Sequence, residues 1–341
     1  MDLSVVISVY NEKESLRELV GGIGSVLSNP LDGKLLKYEI ILISDGSTDG
    51  SWEEISALAK EAADGSSPVG ANGKIRGICF RRNYGKSAAL YCGFERAEGE
   101  VVITMDADLQ DDPAEIPQLY KGIKEEGYDL ISGWKKKRYD NAITKNIPSK
   151  IYNATARRVT GIKLHDMNCG LKAYKNEVVK NIEVYGEMHR YIPFLAKEAG
   201  YTNISERVVT HHKRKYGSSK FGLNRFINGY LDLMSLWFLQ KFGKKPMHLF
   251  GVWGTIMFLA GFAMALYIII RKLVLQAKIQ AQYELQGFTD IKMRAVTDQP
   301  LFYLGLIAIV LGVMLFLTGF IAELISRNSQ GRNNYHIKSE F

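Results

Sequence analysis

Hydrophobic residues in the first half of the chain come in short runs, rich in β-branched side chains, each closed by a polar turn. Leu3-Ser4-Val5-Val6-Ile7-Ser8-Val9 is the first, ended by Tyr10-Asn11-Glu12. Residues 38–43, 75–80, 101–105 and 128–132 repeat the pattern, and Val208-Val209 closes a later run. Runs of this length and composition read as buried strands. Helices are predicted between them, from about Ser15 and from Pro113 to Glu126. The Gly-, Ser-, Pro- and Asn-rich stretch 64–74 reads as a surface loop. Alternation of strands and helices predicts an α/β domain with a mostly parallel sheet covered on both faces.

The second half changes character. Met247 to Ile270 contains no Asp, Glu, Lys or Arg over 24 positions, and Leu301 to Ala322 none over 22. A helix needs roughly 20 apolar residues to span a bilayer, so two spans are predicted, at about 247–270 and 301–325. Residues 221–245 mix aromatic and Leu residues with scattered charges, which predicts an amphipathic helix at the membrane interface. The expected organisation is a catalytic domain over 1–220, this juxtamembrane helix, a two-helix membrane region over 246–330 and a tail over 331–341.

Composition narrows the class. The 341 residues carry a formal charge of +8, and Cys79, Cys92 and Cys169 are scattered without CxxC spacing. That excludes a disulfide framework and a cysteine zinc site, and fits a reducing compartment. The chain opens directly into a strand, so no cleavable leader is expected. Residues 135–158 hold eight Lys or Arg against one acid, Asp140. No aromatic interleaving accompanies them, so anionic lipid or a lipid phosphate is expected there and nucleic acid is not. Eight Lys or Arg lie in 210–245, five in 271–300 and three after Ala322. The positive-inside rule then places the domain and both termini in the cytoplasm, with a multi-pass membrane anchor.

The chemistry concentrates after the run 101–105, in Asp106-Ala107-Asp108-Leu109-Gln110-Asp111-Asp112-Pro113. Ligands of open α/β sheets bind beyond the carboxyl ends of the strands. Asp106 and Asp108, two apart, reach one edge together. With the Gln110 amide they suit a hard divalent ion, Mg²⁺ or Mn²⁺, leaving positions for water and a diphosphate. The alternative is an acidic loop that caps the following helix. Arg81-Arg82-Asn83-Tyr84-Gly85-Lys86-Ser87 offers backbone N–H groups and an ammonium to an anion. The adjacent His211 and His212 would point to opposite faces of a strand, which argues against a shared ion.

These segments resemble family 2 glycosyltransferases, specifically the membrane-bound polyprenyl-phosphate (dolichyl-phosphate mannosyltransferase-like) group, over roughly the first 240 residues. The resemblance implies a GT-A, Rossmann-like domain and inverting transfer of a sugar from a nucleotide sugar to a polyprenyl (undecaprenyl-type) phosphate. It makes Asp106, Asp108 and Arg138 catalytic, with Asp106, Asp108 and Gln110 on the metal. The donor would meet Val9, Tyr10, Glu12, Asp45, Lys86, Asp106, Ala107 and Asp108. Arg214 and Lys220, in a stretch similar to the mobile RxxGxSK loop, would close over its diphosphate. The acceptor phosphate would meet Arg138, Ser149, Lys150, Asp166 and Arg190. Val9 stands where the group commonly has proline. UDP-glucose is the favoured donor and GDP-mannose the alternative, with cell-envelope glycosylation as the expected setting. A homo-oligomer is left open. A processive synthase would need a QxxRW-type motif, which is absent. A nucleotidyltransferase would not explain the apolar helices, and a non-catalytic scaffold would not need the Asp/Gln set.

Overall fold

The computed structural model describes residues 1–136, 154–158, 160–216, 246–284, 295–328 and 337–340, with four further positions between 234 and 242. Arg138, Ser149, Lys150 and Lys220, and most of the segment expected to form the interfacial helix, lie outside these residues. The chain divides into two compact units, Met1–Leu233 with Gly331–Phe341, and Met234–Gln330.

The first unit is built on an eight-stranded sheet in the order β7-β5-β6-β4-β1-β2-β3-β8. Its strands are β1 (Leu3–Val9), β2 (Tyr38–Ser44), β3 (Gly73–Phe80), β4 (Val101–Asp106), β5 (Leu130–Trp134), β6 (Lys172–Lys175), β7 (Ile204–Val208) and β8 (Ile337–Glu340). The apolar runs become strands because both sheet faces are covered: every residue of β2 is buried, and all of β1 except Ser8. Helices α1 (Lys13–Leu27), α2 (Ser51–Ala63) and α3 (Lys86–Arg96) connect the parallel strands β1, β2, β3 and β4. Leu16, Leu19, Val20 and Ile23 of α1 repeat at helical spacing and pack into the core with Ile7 and Ile40.

Two strands run antiparallel to their neighbours. β6 lies between β4 and β5, and β8 pairs with β3. β8 follows both apolar helices in sequence, so the chain returns to the first unit. Its Glu340 pairs with Arg96 at 2.9 Å and with Arg76 at 3.6 Å. Arg76 also meets the buried Glu39 at 3.3 Å.

In the second unit, two helices, Met247–Glu284 and Pro300–Asn328, are long and apolar enough to cross a membrane. They pack along glycines spaced by seven. A Cβ placed on Gly261 would lie 2.6 Å from the Gly305 carbonyl oxygen, and one on Gly254 would lie 2.7 Å from that of Gly312. Small residues here let two backbones approach closely. Their outward surface is apolar and bare, with Leu259 56% and Leu317 53% exposed.

Candidate active site at the carboxyl edge of the sheet

Strand order reverses direction between β1 and β4, the place where open α/β sheets form a ligand crevice. Ser8 pairs with Asp106, so Val9, Tyr10 and Glu12 leave β1 beside the point where Asp106, Ala107 and Asp108 leave β4. Leu109 then turns with φ +60°, a conformation few non-glycine residues adopt. The turn brings the Gln110 N–H to Asp108 Oδ1 at 3.2 Å.

Cations surround these carboxylates. Lys86, the first residue of α3, contacts Asp106 Oδ1 through Nζ. Arg214 reaches two strand ends at once: Nη2 donates to Asp108 Oδ2 at 2.7 Å and Nη1 to Glu12 Oε1 at 2.8 Å. Lys135, at the end of β5, lies 2.7 Å from Asp111 Oδ1. Lys172 of β6 is buried and donates to the Cys169 carbonyl. Asp106 rests directly on the Cα of Gly170, where a Cβ would stand 2.4 Å from Oδ2.

The two carboxylates are driven apart electrostatically. Burial alone would raise Asp106, but the charges of Lys86 and Lys135 outweigh it and hold the group well below the usual carboxylate range. Asp108 is pushed up to about 6 by burial first and then by the Asp106 charge, against the pull of Arg214. Such a split marks two groups sharing one small space.

A second chain segment is fastened along the acidic block. Asp111 and His211 form a β-bridge, the His212 N–H donates to the Gln110 carbonyl at 2.9 Å, and His212 Nε2 lies 3.0 Å from Asp112 Oδ2. This seam carries Arg214 to Asp108. The histidine pair therefore takes part in packing and backbone pairing.

The remaining sequence-predicted residues occupy nearby places. Ala107 is buried, and Tyr10 is exposed. The Asp45 carboxylate accepts the Tyr84 and Gly85 N–H groups at 2.7 and 2.9 Å, which shapes the turn leading to Lys86. The Gln110 side-chain amide faces the His212 carbonyl at 3.5 Å. Asp166 is buried and accepts the Asn168 N–H at 3.2 Å. Arg190 is buried and pairs with Glu187 at 2.8 Å, while the neighbouring His189 N–H donates to Ser87 Oγ at 3.0 Å. Sequence reasoning missed Lys135 as a site residue, because it heads the basic run 135–158. It also missed Lys172, which opens β6; the signal for Lys135 was its place directly after an apolar strand, and Lys172 had no such signal.

Among the described residues, no three His, Cys, Asp or Glu side chains converge as a metal cage. The pair Asp106 and Asp108 fits a different kind of site. Mg²⁺-type ions are commonly held by one or two carboxylates together with substrate phosphates.

The profile of glycosyl transferase family 2 matches residues 4–183. The chain is 32% identical over 346 residues to the dodecaprenyl-phosphate galacturonate synthase of Rhizobium johnstonii, covering 100% of this chain and 93% of that protein. It is 36% identical over 275 residues to the undecaprenyl-phosphate 4-deoxy-4-formamido-L-arabinose transferase of Aeromonas hydrophila, covering 81% and 78%. A crystal structure of glucosyl-3-phosphoglycerate synthase from Mycobacterium tuberculosis, in complex with Mg²⁺ and uridine-diphosphate, shares the fold with a TM-score of 0.50 at 16% identity, over 69% of this chain and 79% of that one.

Proposed function

The chain belongs to glycosyl transferase family 2, in its polyprenyl-phosphate group, and we propose that it moves a sugar with inversion from a nucleotide sugar to an undecaprenyl-type phosphate. The observation that carries this reading is the meeting of Asp106 and Asp108 with Lys86 and Arg214 at the switch point between β1 and β4.

The acceptor is a phosphate monoester, ionised at neutral pH, so its oxygen needs no strong base. It attacks the anomeric carbon, and the bond from that carbon to the nucleoside diphosphate breaks. The chain's work is therefore alignment and charge. Asp106 and Asp108 would hold Mg²⁺ or Mn²⁺, which would supply Lewis-acid neutralisation of the leaving diphosphate. Lys86 and Arg214 take diphosphate oxygens, and Glu12 and Asp45 border the nucleoside. We assign the acceptor phosphate to Arg190 and Asp166; Arg138, Ser149, Lys150 and Lys220 lie outside the described residues and keep the acceptor and donor-loop roles that the sequence resemblance implies.

Sugar identity is the finer question. The relative aligned along the whole chain is named for galacturonate and the next for formamido-arabinose. These names favour a uronate or a modified pentose over glucose. Mannose from GDP-mannose is the weaker candidate.

The two apolar helices support a membrane-bound enzyme that meets its lipid in the bilayer. β8 supports two crossings with both termini on one side, because the chain rejoins the catalytic sheet after the second helix. Nucleotide sugars are made in the cytoplasm, so that side is the cytoplasmic one.

The test is purified full-length protein in detergent with undecaprenyl phosphate and a panel of UDP-galacturonate, UDP-4-deoxy-4-formamido-L-arabinose, UDP-glucose and GDP-mannose. Glycolipid from one uridine donor supports the reading. Diphosphate release with no glycolipid would assign the acceptor elsewhere.

A further inference from the structure

We propose that Lys86 and Arg214 stand in for the divalent ion in the free protein, so that metal and nucleotide diphosphate enter the site as a unit. This rests on the reading of Asp106 and Asp108 as the metal pair. Each of those carboxylates is already taken: Asp106 Oδ1 by the Lys86 ammonium, and Asp108 Oδ2 by the Arg214 guanidinium at 2.7 Å. An ion bound through Asp106 Oδ1 and Asp108 Oδ2 displaces both cations.

The four cations of the site differ in freedom. Lys135 keeps 12% of its side chain exposed against Asp111, and Lys172 is 2% exposed; both are locked in place. Lys86 and Arg214 keep 32% and 23%, and each lies on the open side of the crevice. Arg214 also follows directly on the seam that fixes His211 and His212 to the acidic block, so its backbone is anchored while its side chain stays partly exposed. Two cations are fixed and two can exchange.

Charge decides what must accompany the metal. A lone divalent ion adds positive charge beside Lys135 and Lys172, takes from the Lys86 ammonium its carboxylate and leaves the Arg214 guanidinium with Glu12 alone. Burying charge without a partner is costly. A diphosphate supplies the missing anion. A guanidinium binds it in bidentate fashion, and Lys86 opens a helix whose free N–H groups favour phosphate. The carboxylates pass from protein cations to the metal, and the cations pass from carboxylates to phosphate.

The experiment measures Mn²⁺ binding to full-length protein in detergent, by electron paramagnetic resonance of free Mn²⁺, with and without UDP and in parallel GDP. Wild type, Lys86→Met, Arg214→Gln, the double variant and Asp108→Asn are compared at one pH. Wild type is expected to bind Mn²⁺ about tenfold or more tightly with its nucleotide than without it. Lys86→Met and Arg214→Gln are expected to bind Mn²⁺ alone several-fold more tightly than wild type, most strongly in the double variant, with the nucleotide effect reduced towards one. A role confined to phosphate binding would leave metal-only affinity unchanged, and that outcome overturns the proposal. Equal Mn²⁺ affinity with and without nucleotide in wild type also overturns it. Full nucleotide-dependent Mn²⁺ binding by Asp108→Asn would instead refute the metal pair itself.

Discussion

Lys135 Nζ lies 2.7 Å from Asp111 Oδ1, with 12% and 0% of the two side chains exposed. The pair joins the ends of β5 and β4 across the intervening β6. Asp111 Oδ2 also faces the Asp106 N–H, at 3.4 Å. The contact therefore braces the peptide that aims the Asp106 carboxylate. Burial tends to lower the Lys135 ammonium, but Asp111 outweighs it and raises the group above the usual lysine range.

Removing one partner leaves a buried charge alone. Lys135→Met is expected to cost about 3–5 kcal/mol of stability. Lys135→Met with Asp111→Leu should recover much of that loss. Denaturant titration of the detergent-solubilised protein checks it. Additive losses in the double variant would mean the two groups are not energetically paired.

Gly170 is the next sensitive point. A Cβ there would stand 2.4 Å from Asp106 Oδ2, and Lys86 holds the carboxylate on its other side. Gly170→Ala should leave the sheet folded and weaken nucleotide-dependent metal binding about tenfold, near 1.4 kcal/mol. Calorimetric titration of Mn²⁺ in the presence of nucleotide gives the number. Unchanged affinity would show that Asp106 moves freely.

Asp108 sets the acid limb. Its carboxyl is held up to about 6, by burial and then by Asp106. A raised value means that the group takes up a proton as pH falls through about 6, and the proton competes with the ion. Metal affinity should be level at neutral pH and fall about tenfold per unit below that point. Arg214 pulls the value down, so Arg214→Gln should move the limb to higher pH. Mn²⁺ titrations at a series of pH values check both.

The apolar hairpin depends on glycine contacts. Gly261→Leu would drive a side chain into the Gly305 backbone, where even a Cβ sits at 2.6 Å. Separation of the helices should follow, seen as lost thermal stability in detergent or lost cross-linking between cysteines introduced on the two helices. Unaltered cross-linking would show that the helices adjust around the larger residue.

Much of this was legible in the residues themselves. β1, β2, β3 and β4 are apolar runs that end in polar turns, and Asp106 and Asp108 follow from the end of one. β6 was hidden because Lys172-Ala173-Tyr174-Lys175 does not look like a central strand; only pairing with β4 and β5 buries it. β8 depends on pairing with a strand more than half the chain away, which no local pattern records. Lys135 is chemically the same as Lys136, and sheet geometry alone turns one towards Asp111. Arg214 carried a phosphate-loop signal, but its hold on Glu12 and Asp108 required three distant segments to converge.

The most direct test of the account is glycolipid formation by wild-type protein and Asp108→Ala, each with Mg²⁺ and with EDTA, using the best donor and undecaprenyl phosphate. The account predicts product only for wild type with Mg²⁺, with Asp108→Ala folded, membrane-bound and inactive. Product from Asp108→Ala, or from wild type in EDTA at an undiminished rate, would contradict it.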